Sequence, residues 1–425
     1  MPARPPTHIR LRGFTLLELL VSLGIVAIIS VIVILVLNPA EILRQGRDAR
    51  RLAELSNLSQ AVAFFSSDAP SVALGESNRI YLSVPDLTLS GGSPRSNCDS
   101  LISSGALAPL SSPWEYRCTA EDDLRKVNGT GWIPVNFANL AGGSPLSNLP
   151  VDPVNNAARG LYYTYVAEAQ QFAATAPLES AKHQKEVAQD DGGTDPVRIE
   201  TGTALSLWAK GNQLVGYWKL DEGSGNTVRD ASPTAENGTR IGPTWTPGKS
   251  GNALQFDGID DRVVFGDTAL NLGSDNFTIT AWVNTGQSAA ERVIVSKGGF
   301  NSGIYPGYAA AIHNGAIRLR IGDSDESNKT LTTTELVNNN AWRFAAGVFA
   351  RTGGMRAYID GVPSATPPVG ITTIGTTDNS DDLMFGARDA SGGPASFLNG
   401  IIDEVRIYRR ALTAQEIQAL YDATK

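Results

Sequence analysis

The chain has 425 residues, with 35 Lys and Arg against 43 Asp and Glu and a formal net charge of -8. At roughly 100–200 residues per domain, that length predicts two or three domains, and the acidic balance argues against nucleic acid as the partner. Hydrophobic residues at 42% with charged residues at 18% exclude wholesale disorder, and two Cys with three His argue against a multi-ligand Cys/His zinc site. With 43 Gly and 23 Pro, the chain reads as turn-rich and mostly β, with helix confined to limited stretches.

Residues 1–13 carry Arg4, Arg10 and Arg12 and no acid, and residues 14–37 form an apolar run with one charge, Glu18. As a helix this run would reach about 36 Å, enough to cross a bilayer core. The basic leader then sets the N-terminus in the cytoplasm and the rest of the chain outside. A secretory signal has a shorter apolar core and a small-x-small cleavage site. A plain signal anchor fits the length but leaves Glu18 unexplained, because a carboxylate inside a membrane segment costs roughly 2.5–3.5 kcal/mol.

The string Arg12-Gly13-Phe14-Thr15-Leu16-Leu17-Glu18 resembles the processing site of type IV prepilins. The resemblance implies cleavage after Gly13 by a prepilin peptidase of the inner membrane and methylation of the new Phe14 amine. Residues 1–13 are then a leader peptide, and Glu18 becomes the fifth mature residue. Its carboxylate is placed to pair with the Phe14 ammonium of a neighbouring pilin subunit, and so to set axial register.

Residues 14–66 read as one long transmembrane and assembly helix. A kink is expected near Asn38-Pro39, because Pro lacks the N–H and clashes with the preceding turn. Leu52, Leu55, Leu58, Val62 and Phe65 form one stripe that should pack on a globular head. Arg44, Arg47, Arg50 and Arg51 lie on other faces with Glu41, Asp48 and Glu54. They read either as a solvated surface near anionic lipid or as pairing between subunits.

Residues 67–210 are rich in Ser, Pro, Gly and Asn. Cys98 and Cys118 read as a disulfide in an exported protein, which for a loop of about 20 residues is worth roughly 3 kcal/mol. Residues 161–167 alternate as a strand, 171–180 fit its hairpin partner and 197–202 a third strand. This segment resembles the pilin head, in which a small antiparallel sheet packs on the long helix. Asp190, Asp191 and Asp195 sit in an acidic turn, read as an ordinary Asp/Gly turn in preference to a cation site.

Residues 211–425 show short alternating segments between Gly, Asn and Asp turns, the pattern of a β-sandwich or jelly roll. Examples are 214–220, 277–283, 316–321, 342–349 and 355–360. Asp360-Gly361 suits a type I′ hairpin turn, and Thr413 with Glu416 forms a capping box for one short helix. The segments LVGYWKLDEGSGNTVRDAS, GNALQFDGIDDRVVFGD, FTITAWV, AYIDG and LNGIIDEVRIYRRALTAQEI resemble laminin-G-like, concanavalin-type jelly rolls. The chain as a whole then reads as an α+β pilin followed by an all-β jelly roll.

That resemblance implies two antiparallel sheets, a calcium ion near one rim and a role in binding glycans or proteins. Calcium takes six to eight oxygen ligands. Asp257, Asp260 and Asp261 cluster on one turn, with Asp403 on the last strand and Asp230 after the first. Asp257 and Asp403, then Asp230, are the foremost candidates; turn-capping Asp residues are the alternative. Trp218, Trp282 and Trp342 fall inside strand patterns and read as core. Trp245, in the Pro/Gly-rich PTWTPG, reads as the exposed ligand-binding candidate.

Glycoside hydrolysis needs two carboxylates at a fixed separation. The Glu-x-Asp-x-x-Glu string of related hydrolases is absent, and the adjacent Asp403 and Glu404 would face opposite sides of a strand. No nucleophile elbow or phosphate loop appears, so the chain reads as a non-enzyme. The leading reading is a structural and adhesive subunit of a type IV pilus-like extracellular filament. Its rivals are a pseudopilin of a type II secretion-like system, a membrane-anchored surface lectin that does not polymerise, and a glycan hydrolase with an unrecognised site.

Overall fold

The structure is a computed structural model that describes residues 15–69, 71–288, 291–298, 306–325, 327–389 and 393–425, with the side chains of 31–37 left aside. Gly13 and Phe14 lie outside the described residues.

Helix α1 (Leu16–Leu37) and helix α2 (Pro39–Asp68) are separated by a single residue, Asn38. Asn38 adopts the left-handed conformation, φ 38° and ψ 75°. Asn tolerates that region better than most residues, and Pro39 opens α2 where a missing N–H costs nothing. The predicted kink is therefore a full break between two helices.

α2 lays Leu55, Leu58, Ala61, Val62 and Phe65 onto a five-stranded sheet. Its strands are β1 (Arg79–Leu82), β2 (Glu115–Arg117), β3 (Thr164–Glu168), β4 (Gln171–Pro177) and β5 (Arg198–Gly202), in the order β2-β1-β3-β4-β5. The hairpin read at 161–180 is β3 and β4, and β5 pairs β4 antiparallel. Only β1 and β2 run parallel. Phe65, Tyr81, Trp132, Phe137, Tyr163, Tyr165 and Phe172 fill the space between helix and sheet. Cys98 and Cys118 are bonded to each other.

Of the basic residues of α2, Arg44 and Arg50 are exposed, as the solvated-surface reading expects, but Arg47 and Arg51 turn inward. Arg51 is fully buried. Its guanidinium meets Asp48 at 2.8 Å, Asp152 at 2.6 Å and Glu179 at 2.7 Å, while Arg47 takes Glu179 at 2.7 Å. Asp48 also accepts the N–H groups of Glu179 and Ser180. The cluster pins the helix to the loop after β4.

The C-terminal part begins with β6 (Leu214–Trp218), β7 (Thr227–Val228), β8 (Gly238–Ile241), β9 (Thr244–Pro247), β10 (Asn252–Asp257), β11 (Arg262–Val264) and β12 (Phe277–Asn284). It continues with β13 (Arg292–Lys297), β14 (Gly307–His313), β15 (Ala316–Gly322), β16 (Asn328–Leu336), β17 (Trp342–Ala350), β18 (Gly354–Ile359), β19 (Val362–Pro363), β20 (Leu383–Phe385) and β21 (Asn399–Tyr408). One sheet runs β19-β18-β17-β12-β21-β10-β9, with β6 also pairing β21; the other runs β16-β15-β14-β13-β20-β11-β8-β7. All pairings in both are antiparallel. The inner faces enclose one core, in which Trp218 lies 4.9 Å from Phe265 and 5.0 Å from Phe385 between ring centroids.

Local signals set the edges. Asp360 and Gly361 both have positive φ, 51° and 80°, as a type I′ turn requires between β18 and β19. The C-terminal helix Ala414–Thr424 starts with both reciprocal bonds of the Thr413/Glu416 capping box. Head and sandwich meet directly: the Gln213 amide exchanges hydrogen bonds with both backbone groups of Ser111, and the Arg410 guanidinium donates to Asn212 O.

Candidate functional site

The N-terminal segment comes first. Glu18 sits in the first turn of α1, where its carboxylate accepts the Thr15 N–H and the Thr15 hydroxyl, each at 2.9 Å. In the single chain the group is a solvent-exposed N-terminal cap. Among the described residues, no helix is long and apolar enough to cross a membrane.

The rim site is built by the turn between β10 and β11. Gly258 carries φ 82°, and a Cβ there would lie 2.9 Å from the Asn399 Cβ, so glycine is required. The turn folds on its own acids: Asp257 accepts the Ile259 N–H, and Asp261 accepts the Asp257 N–H, both at 2.8 Å. Carboxylate oxygens of Asp257, Asp260 and Asp261 fall within 4.8 Å of one another. Burial pushes the Asp261 carboxyl up, and the Asp257 and Asp260 charges add to it. Such a set supplies three hard oxygen donors, about half of what calcium takes. Beside it stand exposed Ile259, at the turn tip, and Ile241, which is paired opposite Arg262.

Asp403 and Asp230 do not join this turn. The first and last strands are neighbours, as expected, since β6 pairs β21. Both carboxylates, however, are buried and committed to backbone donors. Asp403 accepts the N–H groups of Lys249 at 2.7 Å, Ser250 at 3.0 Å and Glu404 at 2.8 Å. Burial pushes its carboxyl up to about 8 against those donors. Asn399, not Asp403, stands opposite Asp257, which leaves Asp403 about 13 Å along the strand. Asp230 accepts from Tyr217 N–H, Ser232 N–H and Glu236 N–H and closes its own turn. The five-residue calcium set read from sequence therefore reduces to the three residues of one turn.

Trp245 is also placed differently. It lies in β9 opposite Leu254, half-buried against the core, and its Nε1 donates to Gly225 O at 3.2 Å. The Pro and Gly around it suggested a loop, but they flank a short edge strand. Trp218 and Trp282 are buried, as read. Asp403 and Glu404 diverge: Glu404 takes the Tyr217 hydroxyl at 2.9 Å and Arg406 at 2.7 Å.

Lys297 was not singled out from sequence. It is fully buried on β13, and its ammonium donates to the carbonyls of Asp267, Asn379 and Asp381. Ser-Lys-Gly after an apolar strand gives no hint of this, because the three carbonyls come from distant loops. The acidic turn at 190–195 is an ordinary one in its bonding. Asp191 accepts the Gly193 and Glu200 N–H groups, and the buried Glu200 accepts those of Thr194 and Asp195.

Comparisons with known proteins fall on the two ends of the chain. Residues 10–34 match the model of the prokaryotic N-terminal methylation motif, and residues 257–418 match that of the concanavalin A-like lectin/glucanases superfamily. No curated protein matches the chain. Among solved structures, the binding domain of Paraclostridial Mosquitocidal Protein 1 is 16% identical, covers 49% of this chain and 52% of its own, with a TM-score of 0.40. The binding domain of Botulinum Neurotoxin serotype G is 16% identical over 49% and 50%, with a TM-score of 0.38. Domain 4 of AbnA, a GH43 extracellular arabinanase from Geobacillus stearothermophilus, in complex with arabinotriose, is 20% identical over 49% and 98%, with a TM-score of 0.38. The chain spans about half the length of the first two. It carries, in one polypeptide, a prepilin-type N-terminal methylation motif and a concanavalin A-like domain.

Proposed function

We propose that this chain is a subunit of a type IV pilus-like surface filament that displays a lectin-like binding module. The observation that carries the reading is the methylation motif at residues 10–34, heading a chain that ends in a concanavalin A-like domain. The apolar run at 14–37 anchors the precursor in the inner membrane before assembly. α2, laid on a five-stranded sheet, fits a pilin-type head. The sandwich then faces the exterior and binds glycan or protein without turning it over.

Processing is the first test. Mass spectrometry of the mature protein should find Phe14 as a methylated N-terminus. A mature chain that still begins at Met1, or one cut near Asn38, would sink the pilin reading.

The calcium reading rests on the turn of Asp257, Asp260 and Asp261. An ion bound only by the folded state raises stability by about 2.7 kcal/mol at one hundred times its Kd. Calorimetry should show a higher melting temperature with calcium than with chelator, and Asp257→Ala should remove most of that difference. Asp403→Ala should lower the melt in both conditions and leave the difference intact. Identical melts of the parent protein with calcium and with chelator remove the metal from the account. Glycan-array binding with no released sugar supports the adhesive role, whereas hydrolysis of an arrayed glycan would promote the hydrolase.

A further inference from the structure

A cavity of about 170 Å³ lies between the head and the sandwich, lined by both. Its apolar walls include Ile80, Leu82 and Leu107 from the head and Leu412, Ala419 and Leu420 from the far end of the chain. That volume is about the size that holds one benzene ring.

The polar groups in it are unusual in one respect. Arg198, on β5, is buried, with 8% of its surface exposed. Its Nε donates to the Thr175 hydroxyl and its Nη2 to Tyr162 O, both at 2.6 Å, and its guanidinium stacks 5.4 Å from the Tyr162 ring and 5.3 Å from the Trp208 ring. No carboxylate among the described residues pairs with it. Asp195 also lines the cavity, but its two oxygens accept the Val197 N–H and the Trp208 Nε1–H. The second buried cation, Arg410, is neutralised by Glu416 at 2.7 Å. The remaining charged lining residue, Arg159, is at the surface and lies 3.9 Å from Glu179, so Arg198 is the lining cation without a carboxylate in contact. Tyr116 and Tyr162 line the same space, and neither hydroxyl has a hydrogen-bond partner among the described residues.

A buried guanidinium with no carboxylate in contact is costly to maintain, and the Asp195 charge acts on it only from a distance. Here it sits beside two free hydroxyl donors and an apolar space of ring size. We infer that the cavity is a binding site for a small monocarboxylate with a ring-sized apolar body. The carboxylate meets Arg198, with the Tyr116 and Tyr162 hydroxyls as donors, and the body fills the space between Leu82, Leu107 and Leu420. A carboxylate suits the planar fork of Arg, and the apolar walls disfavour a free phosphate. The ligand touches both the head and the C-terminal helix, so its binding ties the sandwich to the head.

The probe is benzoate, titrated by calorimetry into the full-length chain in detergent, with benzamide as the neutral isostere and inorganic phosphate as the anion without a body. One benzoate should bind per chain, with benzamide at least about tenfold weaker, the scale set by losing a charge-assisted pair, and with no phosphate binding. Arg198→Met should abolish benzoate binding, and Arg198→Lys should retain part of it. Ala419→Phe, at a half-buried position on the C-terminal helix, fills the cavity while leaving Arg198 in place, and should abolish binding with the melt preserved. Absence of benzoate binding to the parent chain overturns the proposal. So does equal binding of benzamide, tighter binding of phosphate, or benzoate binding that survives Ala419→Phe.

Discussion

Arg51→Met is expected to destabilise the head by about 3–5 kcal/mol, the cost of breaking a buried ion cluster from one side. The substitution keeps much of the apolar bulk of the side chain and removes the charge together with its N–H donors. It leaves Asp48 and Asp152 fully buried, and Glu179 nearly so, with one guanidinium fewer among them. Asp48 and Asp152 keep their backbone donors, so the fold need not collapse outright, and the loss is measurable by denaturant titration. A change under about 1 kcal/mol, the scale of an exposed pair, would show that the cluster is solvated after all. The same cluster sets an acid limit. Burial pushes the Glu179 carboxyl up, but Arg47 and Arg51 outweigh it and hold it at about 2, below its ordinary 4.5. A carboxyl lowered in the folded state stabilises fully above its unfolded value, and that contribution is lost as pH falls through the folded one. The head should therefore lose stability between about pH 4.5 and 2, and Arg51→Met should flatten that part of the profile.

Trp218→Ala should cost the sandwich about 3–5 kcal/mol, as large aromatic truncations in packed cores do. Trp218 is fully buried, ringed by Phe265 and Phe385, and its Nε1 donates to Glu236 O at 3.0 Å. The neighbouring Gly216 shows how tightly the ring is held, because a Cβ there would lie 2.3 Å from it. For a unit of this size the melting temperature should fall by roughly 10 °C. The transition of the head, followed separately through the disulfide-bonded segment, should move much less. A shift of only a degree or two would mean that the ring is not a core residue of the sandwich.

What the sequence made legible was local. The interruption at Asn38-Pro39, the hairpin within 161–180, Asp360-Gly361 and the Thr413/Glu416 box are each decided by residues a few positions apart, and each is present, the first as a full break where a kink was expected. What it concealed depends on tertiary neighbours. Arg51 looked like one of four arginines on a polar helix face, because Asp152 and Glu179 lie more than one hundred residues away. Lys297 gives no local signal at all, because the carbonyls that surround it come from distant loops. Asp403 and Asp230 carried the right chemistry for a metal, but backbone N–H groups reached them first. A turn-capping carboxylate and a ligating one have the same letter in sequence; only the burial and the donors differ. Trp245 was misplaced for a similar reason, since a Pro- and Gly-flanked edge strand reads as a loop.

On this reading the methylated N-terminus polymerises and carries the sandwich outward. Electron microscopy of whole cells, with gold-labelled antibody against residues 211–425, tests it most directly, with Glu18→Ala as the comparison. Label is expected along extracellular filaments in the parent strain. In the Glu18→Ala strain the membrane protein should be retained with little label on filaments, because the partner for the Phe14 amine is gone. Label confined to the cell envelope of the parent strain, or normal filament incorporation of Glu18→Ala, would contradict it.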